Sequence, residues 1–234
     1  MKIEIWSDVM CPFCYIGKRK FEKALEQFPQ KNAIVVEWKS FQLSPDMETD
    51  PSKSIYQFLA DHKGMSLQQA QSMNSQVSQI AMNAGLTFNF DQAIVANSFN
   101  AHRFAHYAKS NNKQNEAEEL LFKAYFTEGK NIDDYDVLIE LGTKIGLTAD
   151  GVRSALESDL FAADVKADIA EGQLLGVRGV PFFVFNRKAA ISGAQESVVF
   201  LQTIESTYSE WKQENPAALN SIEGPGCTTD GGCD

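Results

Sequence analysis

The chain shows strand periodicity only near its two ends, with about 120 residues of helical pattern between them, and this arrangement limits the fold more than any other feature. Residues 2–7 alternate, Ile3 and Ile5 on one side and Lys2, Glu4 and Trp6 on the other, which predicts a short strand. A helix follows. Pro12 lacks an N–H that a first turn leaves unpaired, and Phe13, Ile16, Phe21, Ala24, Leu25 and Phe28 recur at helical spacing up to Pro29. Residues 33–41 (AIVVEWKSF) are rich in β-branched and aromatic side chains and predict a second strand, after which Pro45 and Pro51 mark a loop. At the far end, GVRGVPFFVF sets a Gly-marked turn before an apolar run of buried-strand length, AAISG supplies a hairpin partner, and Glu196, Val199, Phe200, Thr203, Ile204 and Tyr208 trace a last helix.

Between residues 54 and 175 the pattern is helix after helix, with no strand expected. Met73, Val77, Ile80, Ala81 and Ala84 form one apolar stripe, and Ala117, Leu120, Leu121, Ala124 and Tyr125 another. Asp133 is the expected cap of a third helix carrying Val137, Leu138, Leu141 and Ile145, with Gly146 as its stop. The order βαβ, helical block, ββα predicts an α/β fold with a mixed, helix-covered sheet, because a βαβ crossover makes parallel neighbours and a terminal hairpin is antiparallel. Residues 1–50 and 176–213 then form a sheet-bearing domain, 54–175 a helical insertion domain, and 214–234 a Gly/Pro-rich tail.

Charge and hydropathy narrow the function. With 21 Lys and Arg against 31 Asp and Glu, the net charge of −10 argues against nucleic acid as a partner, since phosphate recognition draws on clustered basic charge. No apolar run approaches the ~18 residues that cross a bilayer, so no membrane partner is expected. The first residues, MKIEIWSD, do not read as a secretory leader, and a cytoplasmic location is expected.

The cysteines are placed unevenly, Cys11 and Cys14 near the start and Cys227 and Cys233 at the end. C-P-F-C falls directly after a strand and at the first turn of a helix. There, unpaired N–H groups and the positive end of the helix dipole favour an anion at Cys11, which predicts a readily ionised, nucleophilic thiol. Cys14, three residues on, shares that helix face and can attack a mixed disulfide at Cys11; it is expected to be the more buried and less acidic partner. A pair of small core residues or half of a zinc site is the other reading of C-x-x-C. Val180-Pro181 precedes the buried strand: it is either an ordinary loop proline or a cis bond that turns the Val180 backbone toward an extended substrate.

The segments WSDVMCPFCYIG (Trp6 to Gly17), NSFNAHRF (Asn97 to Phe104) and GVRGVPFFVF (Gly176 to Phe185) together resemble the DsbA family of thioredoxin-fold proteins. More narrowly they resemble its cytoplasmic FrnE-like type, related to 2-hydroxychromene-2-carboxylate isomerases and kappa-class glutathione transferases. The resemblance implies a thioredoxin fold with a helical insertion and a thiol–disulfide oxidoreductase. Cys11 is then the nucleophile, Cys14 the resolving residue, and Val180 with a cis Pro181 the substrate-positioning backbone. Pro12, Phe13, Asn97 and His102 are the further substrate-facing candidates, Asn97, His102 and Arg103 being expected on a helix of the insertion. No cofactor is implied beyond the dithiol. The expected partners are protein clients carrying disulfides or thiols, glutathione as substrate or reductant, and a recycling reductase.

The isomerase and transferase relatives carry Ser at the first motif position, whereas this chain has Cys11, which favours disulfide exchange over glutathione-dependent isomerisation or transfer. A holdase-like binding module that uses the groove without exchange is a further alternative. In a reducing compartment a strongly oxidising dithiol stays reduced, so reductase or isomerase action is expected there; the Pro-Phe dipeptide predicts a potential above about −270 mV. His102 and His106 lie one turn apart without a third ligand on that face, so no metal is expected, and His102 is a candidate for tuning Cys11. Cys227 and Cys233 can close a local disulfide and form a possible second redox pair.

Overall fold

The structure, a computed structural model, describes residues 1–216. Strand β1 (Lys2–Ser7), helix α1 (Pro12–Gln27) and strand β2 (Val35–Ser40) open the chain. Strands β5 (Phe182–Phe185) and β6 (Ala189–Ser192) and helix α9 (Ser197–Glu214) follow the helical block. The four strands make one mixed sheet in the order β2-β1-β5-β6, β1 running parallel to β2 and antiparallel to β5. The parallel β1–β2 pair and the antiparallel β5–β6 hairpin are those the βαβ and ββα patterns predict. α1 and α9 cover the sheet through Phe21, Phe183 and Phe200, whose ring centroids lie 4.6–5.9 Å apart.

Between them come α2 (Ile55–Lys63), α3 (Leu67–Asn83), α4 (Phe99–Ser110), α5 (Gln114–Phe126), α6 (Tyr135–Lys144), α7 (Ala149–Glu157) and α8 (Ala162–Leu174). Among the described residues no helix is long and apolar enough to cross a membrane. One apolar core runs through both parts, because α1 is buried on two sides. Phe21 packs on Phe183 of β5, while the Tyr15 ring stacks on Phe122 of α5 with centroids 5.0 Å apart.

Three expectations need correction. The helical block does contain strand: β3 (Asp50–Ser54) pairs with β4 (Ile94–Val95), so part of the expected proline loop is a ladder. The cap of α6 is Asp134, which accepts from the N–H groups of Asp136 and Val137; Asp133 instead accepts from Thr49 and Asn100. Asn97 is not on a helix but precedes Ser98, the N-cap of α4.

The free edge of β2 is closed by side chains from the helical block. Gln114 of α5 accepts from the Trp38 N–H at 3.1 Å and donates to the Trp38 carbonyl at 2.9 Å, and Asp168 of α8 accepts from the Ser40 N–H at 3.0 Å. An amide side chain thus stands where a fifth strand would pair.

Candidate functional site

β1 stops at Ser7, and the Cys11 N–H turns back to the Asp8 carbonyl at 2.9 Å, so that Cys11 becomes the N-cap of α1 and Pro12 its first residue. The Cys14 N–H donates to the Cys11 carbonyl at 3.0 Å, which sets both sulfurs on the same turn. Both are unpaired thiols, and Cys14 is the more enclosed, 1% exposed against 5% for Cys11. Burial pushes the Cys14 thiol well above its ordinary pKa and the adjoining Cys11 sulfur adds to this, while the Ser7 hydroxyl and the Asp8 backbone act in the opposite sense.

Across the site, the Val180–Pro181 bond is cis, and Cys11 Sγ donates to the Val180 carbonyl at 3.5 Å. Gly17 makes this approach feasible: a Cβ there would lie 3.1 Å from Pro181 Cγ and 3.5 Å from Ala194 Cβ. The Gly193 N–H holds the Pro181 carbonyl at 2.8 Å. Phe13 is exposed, Pro12, Met10 and Val180 are partly so, and Leu43 is exposed on a loop tied to the motif through the Asp8 carboxylate.

Beneath the motif lies a buried polar cluster. Asp8 is fully enclosed, and its carboxylate accepts from the N–H groups of Met10 at 3.2 Å and Leu43 at 2.7 Å. His102 Nε2 of α4 stands 3.6 Å from Asp8 Oδ1, too far for a hydrogen bond. Burial works against an imidazolium, yet the Asp8 and Glu118 carboxylates outweigh it and hold the His102 pKa above its ordinary value. Glu118 of α5 is 3% exposed; burial pushes its carboxyl up to about 7, against the pull of His102 and Lys18. Lys18 of α1, itself 2% exposed, bonds Glu119 at 2.8 Å and Glu22 at 2.5 Å.

The structure therefore brings together Cys11, Cys14, Pro12, Phe13, Val180 and Pro181, and sets His102 below them rather than on the surface. Asn97 is placed otherwise. Its side chain bonds Phe99 N, Gln42 and the carbonyls of Pro45 and Met47, fastening the loop 42–49 to the start of α4 beside an open groove of about 540 Å³. Arg103 points away from the motif and binds backbone carbonyls at the end of α7, Ala155 and Leu156 among them. His106 pairs with Asp168 instead of sharing a site with His102. Among the described residues no three His, Cys, Asp or Glu side chains gather as a metal site. Cys227 and Cys233 lie outside the described residues.

Sequence reasoning missed Asp8 and Glu118. Glu118 carried a readable signal: it stands three, four and seven residues before Leu121, Phe122 and Tyr125, on the buried stripe of α5.

A comparison with known families places residues 2–205 in the DSBA-like thioredoxin domain. The chain belongs to the DSBA-like thioredoxin domain family. It is 29% identical over 212 residues to the uncharacterized protein YwbO of Bacillus subtilis, covering 86% of this chain and 94% of that one. A probable DsbA oxidoreductase from Streptomyces coelicolor superposes with a TM-score of 0.84 at 33% identity, over 100% of this chain and 98% of the other. A 2-hydroxychromene-2-carboxylate isomerase shares the fold at 15% identity and a TM-score of 0.65, over 92% and 98%. The cytosolic disulfide reductase DsbM from Pseudomonas aeruginosa shares it at 16% and 0.59, over 93% and 100%, and has also been solved with GSH. The family membership, with the probable DsbA oxidoreductase among the solved structures of the same fold, supports a redox or isomerase enzyme.

Proposed function

We propose that this DSBA-like protein is a dithiol–disulfide oxidoreductase acting on protein disulfides or on mixed disulfides with glutathione. The supporting observation is the pairing of a helix-capping Cys11, in contact with the Val180 carbonyl, with the deeply buried Cys14 one turn below. The Cys11 thiolate attacks one sulfur of the client, the client S–S bond breaks, and the departing thiolate takes a proton from water. Cys14 then attacks Cys11 Sγ, forming the internal disulfide and releasing the second client thiol. A thiol reductant such as glutathione restores the dithiol.

Val180 offers backbone to an extended client, and Phe13, Pro12, Met10 and Leu43 give it an apolar rim. The isomerase with the same fold does not lead us to the transferase reading, because a thiol at Cys11 forms a disulfide with glutathione instead of only polarising its sulfur. A reducing, cytosolic setting suits this chemistry, as the cytosolic disulfide reductase of the same fold illustrates for its own case.

The test is reduction of insulin and of a glutathionylated peptide. Cys11→Ser is expected to lower the rate more than about a hundredfold, and Cys14→Ser to accumulate the mixed disulfide. Full activity in Cys11→Ser overturns the reading.

A further inference from the structure

The open groove of about 540 Å³ beside the start of α4 has no part in the exchange chemistry described so far. One wall is the loop after β2, with Gln42, Pro45, Met47 and Glu48; the other is Phe99 and Asn100 of α4, with Asp133 from the turn before α6. The groove begins next to the dithiol. Leu43, the neighbour of Gln42, donates its N–H to Asp8 at 2.7 Å, the other oxygen of that carboxylate takes the Met10 N–H, and the Asp8 carbonyl takes the Cys11 N–H. One residue thus ties the reactive turn to the groove wall.

The hydrogen-bonding capacity left in those walls is one-sided. Each side-chain donor already donates within them: Gln42 to Asn97 at 3.1 Å, and Asn97 to the carbonyls of Pro45 and Met47. Asn100 and the Thr49 hydroxyl donate to the two oxygens of Asp133, at 2.7 and 2.6 Å. Acceptors remain. Asp133 is a carboxylate aimed by two neutral donors, and Glu48 stands exposed beside it on the same groove. Among the described residues no Lys, Arg or His lines the groove. Arg103, behind Asn100, is occupied by that amide oxygen and by carbonyls at the end of α7. Pro45, Met47 and Phe99 supply apolar faces.

A fitting occupant therefore carries donors and positive charge at the end of an apolar stem, which describes a Lys or Arg side chain. An acidic segment would meet two like charges there. Glutathione, with two carboxylates and one ammonium, is a poor match. We infer that this groove is a subsite for a basic side chain of a polypeptide client, lying a short way along the chain from the cysteine that reacts with Cys11. The inference rests on the disulfide-exchange reading above and narrows its substrate class to clients with a Lys or Arg near the disulfide.

The experiment uses the full chain and synthetic peptides carrying one cysteine blocked by glutathione, with lysine, norleucine or glutamate placed at each flanking position in turn. At the position that reaches the groove, kcat/KM for reduction should be about tenfold higher with lysine than with norleucine, nearly all of it in KM, and lowest with glutamate. Because the groove is open to solvent, the lysine gain should shrink to about threefold in about 0.5 M salt. Glu48 is exposed, so Glu48→Lys is expected to fold, and it should abolish the gain. In Asp133→Asn the gain should fall to about threefold; as a ratio within one protein, it is insensitive to loss of stability. Lysine and norleucine peptides that react within about twofold of each other at every position overturn the inference and leave the oxidoreductase reading intact, as does a gain that Glu48→Lys leaves unchanged. Failure of the wild-type chain to reduce any of the peptides overturns both.

Discussion

His102 and His106 lie one turn apart on α4 in opposite kinds of surroundings. His106 Nε2 is 3.1 Å from Asp168 Oδ2 and 3.2 Å from Ser40 Oγ, and the same carboxylate accepts from Lys39 Nζ at 2.8 Å and the Ser40 N–H at 3.0 Å. That cluster ties α4, α8 and β2 together with its bonds made. His102 stands off from Asp8 and makes no hydrogen bond through Nε2, and the buried Glu118 keeps one oxygen unfilled. A completed network resists any change of protonation, whereas in an incomplete one each unpaired buried atom is costly in the low dielectric. The difference separates a polar cluster that holds the helical block onto the sheet from one left with unfilled atoms around Asp8.

Breaking the completed cluster should have the largest effect. Asp168→Ala leaves Lys39 and His106 facing an empty position and is expected to cost about 3–5 kcal/mol of stability at pH 7 in urea unfolding. Exchange per folded molecule should stay within about twofold. Burial opposes ionisation of Asp168, but His106 and Lys39 outweigh it and hold its pKa below the ordinary value of 3.8. The contribution is therefore present above that value and fades as pH falls below it. A gap between wild type and variant that stays constant down to pH 3 would contradict this.

Glu118 should show the opposite slope. Its folded pKa is raised from 4.5 to about 7, so the native state holds this proton more tightly than the unfolded chain across that window. Wild-type stability relative to Glu118→Gln should fall by about 3 kcal/mol as pH rises from 4.5 to 7, measured by denaturant titration at each pH. A flat difference would mean that Glu118 titrates as it does in water.

A smaller effect tests how tightly the α8 side is packed. A Cβ at Gly172 would lie 2.7 Å from Trp6 Nε1, whose N–H donates to the Asp168 carbonyl at 2.8 Å. Gly172→Ala should cost about 1–3 kcal/mol and lower Tm by several degrees in a thermal melt, with exchange chemistry unchanged.

What the sequence disclosed follows the range over which each signal acts. The β1–α1 junction, the apolar run of Phe182 to Phe185 and the turn at Pro181 are local and were legible, as were the parallel β1–β2 pair and the antiparallel β5–β6 hairpin. β3 was not: Asp50, Pro51, Ser52, Lys53 and Ser54 show no apolar alternation, and their pairing with β4 is irregular in register. The cap of α6 was misplaced by one residue because Asp133 and Asp134 are chemically alike and only the backbone turn distinguishes them. The contact between Asp8 and His102 joins residues 94 positions apart, and no local periodicity encodes such a distance.

The Gln114 amide set against Trp38 has a consequence for crowding. End-to-end stacking of strands from one molecule to the next requires two open borders, and here one is filled by a side chain from the same polypeptide. β6, which among the described residues pairs with β5 alone, could recruit a second copy, but the outer border of that copy would again be stopped by its own glutamine. Fibrillar growth by strand addition along this four-stranded sheet would end at a pair.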